Sequence, residues 1–279
     1  MSKTILERLA VCSWSLQPST PRDLVAKLRT TGIPRVQLAL GPLRKSPAVF
    51  EETQTILRQN GITIVSGMFE CMGEDYSTLE TIRATGGIAP DNTWPQNLAN
   101  IHTHAVNADE LGLRLVTFHA GFLPHDQTEP NFLKMLQRIE NVAGIFAEKN
   151  ISVALETGQE TAQSLAIVLQ KLDCPTLGVN FDPANMILYG QGDPVAALRI
   201  LAPWICQVHI KDAKRTTIPG SWGREVVVGT GDVDWPGFFA ALREINFTGN
   251  LVIEREAGDQ RIVDVCSARK VVLKSSQAN

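Results

Sequence analysis

Four stretches in the second half of the chain decide its architecture: Val153–Gln159 (VALETGQ), Val179–Asn185 (VNFDPAN), Gln207–Ala213 (QVHIKDA) and Leu251–Glu256 (LVIERE). Each is a short apolar run closed or interrupted by one ionisable side chain: Glu156, Asp182, His209 and Glu254. These four lie 26, 27 and 45 residues apart, the length of one strand plus one helix, with a longer loop in the last interval. Apolar runs of this kind read as strands buried on both faces, the habit of parallel strands covered by helices.

The same pattern extends to both ends. The strands Ile151–Glu156, Leu177–Asp182, Ile205–Ile210 and Leu251–Glu254 are preceded by Leu9–Leu16, Arg35–Leu40, Ile62–Phe69 and Leu115–Ala120. Helix-period segments fill the gaps: Pro21–Thr31, Phe132–Lys149, Thr161–Leu172, Pro194–Leu201 and Pro236–Ile245. The first carries its own punctuation, with Thr20 as N-cap, Pro21 at the first helical position and Gly32 as terminator. Eight such units in 279 residues average roughly 35 residues each, which predicts one (β/α)8 TIM barrel spanning 1–279. An open doubly wound sheet is the rival, but no G-x-G-x-x-G follows Leu9–Leu16. The longest irregular stretch, about Glu70–Pro95, follows strand three and would overhang the C-terminal face, as a lid or as a surface excursion.

Composition narrows the class. The chain is 44% hydrophobic and 20% charged with a formal net charge of −3, which excludes a disordered polyelectrolyte and gives no basic excess for nucleic acid. Cys12, Cys71, Cys174, Cys206 and Cys266 are scattered and form no C-x-x-C pair, so they read as reduced thiols of a cytoplasmic protein. No apolar run is long enough for a membrane span, and MSKTILERLAV does not read as a signal peptide. Exposed helix faces leave a homo-oligomer open.

In a barrel, the four ionisable residues would share the C-terminal mouth, where barrel active sites lie. Three clustered carboxylates repel and are costly to desolvate, and a divalent cation resolves both problems. A donor set of three carboxylates and one imidazole suits Mn²⁺ or Mg²⁺, with Zn²⁺ or Co²⁺ able to enter. Around them, His119 ends strand four and can hydrogen-bond a substrate hydroxyl, Lys211 follows His209, and Trp14 on strand one can wall a sugar. His102 and His104, two apart on a helix, point to different sides and do not chelate one ion. Gly229-Thr230-Gly231 is read as a turn in preference to a phosphate loop.

VALETGQ, NFDPAN, VHIKDA and LVIERE, with GTGDVDWPGFFAALREINFTGNL before the last, resemble the sugar phosphate isomerase/epimerase family of the xylose isomerase-like TIM barrel superfamily, which includes endonuclease IV-type proteins. The resemblance implies that Glu156, Asp182, His209 and Glu254 bind one metal ion. It also implies that Glu156 and Glu254 form the acid/base pair acting on an open-chain keto-sugar through an enediolate. It places Arg215 as a substrate-binding residue. Asn185 stands where ketose 3-epimerases have a His, and Ala162, with Glu160 nearby, where they have a second Glu. Related barrels with this metal set dehydrate keto-inositols and dehydroshikimate, which is the alternative function. An endonuclease IV-like nuclease is a remote one, because only five His are present in the whole chain and Asn185 replaces a zinc ligand. A catalytically silent barrel is the third.

Overall fold

The computed structural model describes residues 4–124, 126–218 and 220–277. Eight parallel strands close into a barrel: β1 (Leu9–Cys12), β2 (Arg35–Ala39), β3 (Thr63–Met68), β4 (Leu115–Phe118), β5 (Ser152–Glu156), β6 (Leu177–Phe181), β7 (Ile205–Ile210) and β8 (Asn250–Ile253). Closure is made by β1 on β8, pairing Leu9 with Leu251, Ala10 with Val252 and Val11 with Ile253. One long helix follows each strand: α1 (Pro21–Thr31), α2 (Thr53–Gln59), α3 (Trp94–Glu110), α4 (Pro130–Ala147), α5 (Ala162–Leu172), α6 (Pro194–Leu201), α7 (Trp235–Glu244) and α8 (Arg261–Gln277). The punctuation of α1 is as read: the Thr20 hydroxyl accepts from Asp23 N, Pro21 opens the helix, and Gly32 ends it at φ +67°. No helix among the described residues is long and apolar enough to cross a membrane.

The reading of strand one is corrected. Strand one stops at Cys12, and Ser13–Leu16 turns into a short helix ended by Gln17 in the left-handed region. Trp14 is therefore lifted onto the rim. The strands are buried on both faces, as read, and the two faces differ in chemistry. Their outward residues, such as Val36, Val116, Phe118, Val179, Phe181 and Ile210, pack against the helices. The inward face carries Gln37, Ser66, Thr117, Asn180, Gln207 and His209, all fully buried. Two register shifts help to set this lining. Val65 is skipped between β2 and β3, beside Gln37, and Cys206 between β6 and β7, beside Asn180. Bulges of this kind re-aim side chains near functional sites.

The stretch after β3 contains a helix, Leu79–Thr85, and is tied to the barrel at several points. Ile88 N donates to the Ala120 carbonyl, and the Arg138 guanidinium of α4 donates to the carbonyls of Ile88 and Ala89. Gly87 takes φ +64° and lies so close to Ala120 that a Cβ there would sit 2.1 Å from backbone atoms. The segment is thus a fixed overhang, and Glu70, Glu74 and Tyr76 from it face the barrel mouth.

Candidate metal centre and active site

Strand ends bring the four read ligands together. Atoms of Glu156, Asp182, His209 and Glu254 lie within 4.8 Å of one another, and all four residues are buried. His209 Nδ1 sits 3.3 Å from Glu156 Oε1, 3.7 Å from Asp182 Oδ2 and 3.3 Å from Glu254 Oε2. His209 Nδ1 and Asp182 Oδ2 are buried without a hydrogen-bond partner, and Glu254 Oε2, also buried, has the Lys211 ammonium beside it at 3.0 Å. Buried polar atoms are almost always satisfied. Two that are not, with Glu156 Oε1 and Glu254 Oε2 each 3.3 Å from His209 Nδ1, fit a divalent cation.

Asp182, Glu254 and His209 are each held by their other atom, and Glu156 is held through both oxygens. Asp182 caps the short helix Pro183–Leu188: Oδ1 accepts from Ala184 N (2.7 Å) and Asn185 N (2.9 Å), leaving Oδ2 for the centre. Glu254 Oε1 accepts from Trp14 Nε1 at 2.7 Å. Glu156 accepts from Asn185 Nδ2 on Oε1 (3.0 Å) and Asn180 Nδ2 on Oε2 (3.1 Å). The inward polar residues of the barrel orient His209. Gln37 Nε2 donates to Thr117 Oγ1 (2.8 Å), so its carbonyl oxygen faces His209 Nε2 at 2.8 Å. An imidazole that donates from Nε2 carries its lone pair on Nδ1, the atom turned toward the carboxylates. On the other side Ser66 Oγ donates to Gln207 Oε1, Gln207 Nε2 to Asn180 Oδ1, and Asn180 onward to Glu156.

Electrostatics separate the three carboxylates. Burial raises the Glu254 carboxyl, but Lys211 and His209 outweigh it and hold the group well below the usual range. Burial also raises Glu156, and the His209 and His119 rings bring it below its ordinary value. For Asp182 burial wins over Lys211 and His209, so its pKa lies above normal. Burial lowers the affinity of His209 for a proton, yet Glu156 and Glu254 raise it well above the ordinary value. Cys12 lies beside the His209 ring, and burial drives its thiol pKa far up.

A cavity of about 840 Å³ opens over this centre. His119, Lys211, Asn185 and Trp14 line it. The His119 ring is 3.7 Å from Glu156, and the Lys211 ammonium is 3.0 Å from Glu254 and 2.5 Å from Glu256. Arg215 is not brought in: it is exposed, and its guanidinium reaches the Gly192 carbonyl at 3.4 Å. Asp212–Lys214 pairs antiparallel with Arg224–Val226, and this hairpin carries the chain after Lys214 outward. Gly229 N and Gly231 N donate to the Asp212 carboxylate, so that segment is a turn around Asp212. His102 is exposed and His104 buried, on opposite sides of α3. Glu160 accepts from Leu123 N and is not part of the cavity wall. Sequence reading missed Gln37 and Asn180, whose signal was a lone amide inside an apolar strand. It also missed Glu74, Tyr189, Trp222 and Glu256 on the wall, which loop sequence does not announce.

Comparison with known proteins places this geometry. The family described as "Xylose isomerase-like TIM barrel" matches residues 25–272. A xylose isomerase domain protein from Planctomyces limnophilus superposes with a TM-score of 0.84 at 31% identity, over 90% of each chain. Among curated proteins, an inosose dehydratase of Clostridium tetani is 24% identical over 150 residues, 48% of this chain and 50% of that one. A putative L-ribulose-5-phosphate 3-epimerase of Escherichia coli (strain K12) is 30% identical over 105 residues, 36% of each. The chain thus spans half or less of the length of these curated relatives.

Proposed function

The chain belongs to the xylose isomerase-like TIM barrel family, and from that premise we propose that it is a divalent-metal-dependent sugar isomerase or epimerase. Its reaction is removal of a proton next to the carbonyl of an open-chain ketose or related keto-sugar. The observation that carries this reading is the meeting of two unpartnered buried atoms, on Asp182 and His209, with the carboxylates of Glu156 and Glu254 at the barrel mouth. These four residues would hold one ion, and the oxygen-rich set favours Mn²⁺ or Mg²⁺, with Zn²⁺ or Co²⁺ compatible. Bound there, the cation supplies a Lewis acid that polarises a carbonyl and steadies negative charge on oxygen.

The chain supplies the proton transfers. Glu156 ends β5 and Glu254 follows β8, strands that are not neighbours in the barrel, so the two carboxylates can act on different faces of a carbon held between them. One takes the proton and the other returns one, which inverts or relocates the centre. Asp182 is a ligand only, because its second oxygen is fixed as a helix cap. His119 and Asn185 offer hydrogen bonds to substrate hydroxyls, Lys211 holds Glu254 ionised, and Trp14 both orients Glu254 and walls the cavity.

A second reading, dehydration, uses the same first step and then expels a neighbouring hydroxyl as water. It is supported by the inosose dehydratase relative and by His119, which can protonate a leaving hydroxyl beside Glu156.

Solvent deuterium incorporation next to the carbonyl, followed over a panel of ketoses and keto-inositols with Mn²⁺ added, tests the reaction. Glu156→Gln and Glu254→Gln are each expected to lower exchange by ~10²–10⁴-fold. Full exchange in either variant would overturn the assignment. Mass spectrometry separates dehydration, by loss of water, from epimerisation.

A further inference from the structure

We propose that the cavity selects an uncharged substrate, a free keto-sugar or keto-polyol, and rejects sugar phosphates and keto-acids. The proposal rests on the reaction above only for where the carbonyl sits, and it names the class of molecule around that carbonyl.

The walls are acidic. Glu70, Glu74, Glu225, Glu254 and Glu256 border the cavity, over Glu156 and Asp182 on its floor. Among the described lining residues Lys211 is the single permanent cation, and it is already engaged by Glu254, Glu256 and the Asn185 side-chain oxygen (3.3 Å). Arg255 and Lys45 lie behind Glu225 and Glu70 and are bound to them. Adding a divalent cation still leaves carboxylates in excess of positive charge.

A phosphate or carboxylate group needs charge-assisted donors, a free helix N-terminus or a nest of backbone N–H groups. Among the described residues, three candidate devices are occupied or directed elsewhere. Arg215 points outward to the Gly192 carbonyl. The glycine-rich turn gives Gly229 N (2.8 Å) and Gly231 N (3.1 Å) to Asp212. The helix Pro183–Leu188, which opens at the metal centre, has its first N–H groups capped by Asp182. What remains of the wall is aromatic and aliphatic: Trp14, Tyr189, Trp222 and Leu188. Such surfaces receive the C–H faces of an uncharged polyol while the carboxylates accept its hydroxyls.

The test uses matched pairs on the metal-loaded protein. Solvent deuterium exchange is compared for L-ribulose and its 5-phosphate, for D-fructose and its 6-phosphate, and for a keto-inositol against dehydroshikimate. Calorimetric binding is compared for the unreactive pair sorbitol and sorbitol 6-phosphate. The uncharged members are expected to exceed their charged partners by about 10²-fold or more in kcat/KM, and sorbitol to bind more tightly than its phosphate. Added salt is expected to narrow the gap by screening the carboxylates. Glu74→Gln and Glu256→Gln are expected to narrow it several-fold. A preferred phosphate or carboxylate in either assay, equal binding of the two polyols, no binding of sorbitol, or unchanged discrimination in both variants would each overturn the proposal. Exchange confined to the phosphorylated members would overturn it and leave the proton-transfer reading standing. Sorbitol bound without exchange on any ketose would do the reverse.

Discussion

His209 directs its two ring nitrogens to different tasks, and Gln37 decides which does which. The Gln37 carbonyl receives Nε2–H because its amide nitrogen is committed to Thr117, so the Nδ1 lone pair is left for a cation among the carboxylates. Gln37→Leu keeps the volume and removes the acceptor. It is expected to weaken Mn²⁺ or Mg²⁺ binding by ~10–100-fold, as loss of an outer partner of a metal-bound histidine does. Calorimetric titration checks this, with far-UV circular dichroism to show that the barrel persists. Unchanged affinity would mean that the tautomer is fixed by something else. At this scale the sequence was only half legible. Glu156, Asp182, His209 and Glu254 announce themselves by closing apolar runs. Gln37 and His209 are 172 residues apart, and no local pattern links them.

Among the elements, the overhang between β3 and α3 shows how a loop becomes part of a site wall. It reads from sequence as irregular, with lid and surface excursion equally open. Its attachment decides the matter: Arg138 holds two of its carbonyls, and Glu74 Oε1 accepts from Gly87 N at 3.0 Å. Gly87 is the critical joint, since only glycine combines φ +64° with such close approach to Ala120. Gly87→Ala therefore adds left-handed strain and a backbone clash, together about 2–4 kcal/mol of destabilisation. A fall in Tm with a reduced kcat/KM, from displaced Glu74 and Tyr76, is the expected result. An unchanged Tm would show that the joint is looser than it looks. The hairpin of Asp212–Lys214 with Arg224–Val226 teaches the opposite lesson. The resemblance implied Arg215 as a substrate-binding residue, but past the hairpin its guanidinium reaches the Gly192 carbonyl instead. Strand and helix positions were legible because periodicity is local, whereas loop direction depends on pairings that sequence spacing does not carry.

For the whole molecule, stability is tied to acidity through a group outside the site. His104 of α3 is fully buried, stacks on Phe69 with ring centroids 5.4 Å apart, and has no partner for either ring nitrogen. Burial lowers its pKa to about 4. The fold holds the ring neutral, while the unfolded chain takes up a proton near the ordinary value of about 6.5. This contribution is therefore complete above that value and is lost as the pH falls toward about 4, amounting to ~3 kcal/mol over the window. Denaturant unfolding at about pH 7 and pH 4.5 should show a smaller loss for His104→Phe than for the parent chain. Equal losses would assign the acid sensitivity to other groups.

The inward face of the barrel has one more consequence, for anyone who would re-engineer the protein. In most barrels of this architecture the interior is the obvious place to gain stability, by exchanging polar residues for branched aliphatic ones. Here Gln37, Thr117, Ser66, Gln207 and Asn180 form two relays that end on the candidate metal centre, one at His209 and one at Glu156. Filling that space with valine and leucine would harden the scaffold while disarming it. Robustness has to be sought on the helix-facing side of the same strands, where Val36, Phe118 and Phe181 can be repacked without touching either relay.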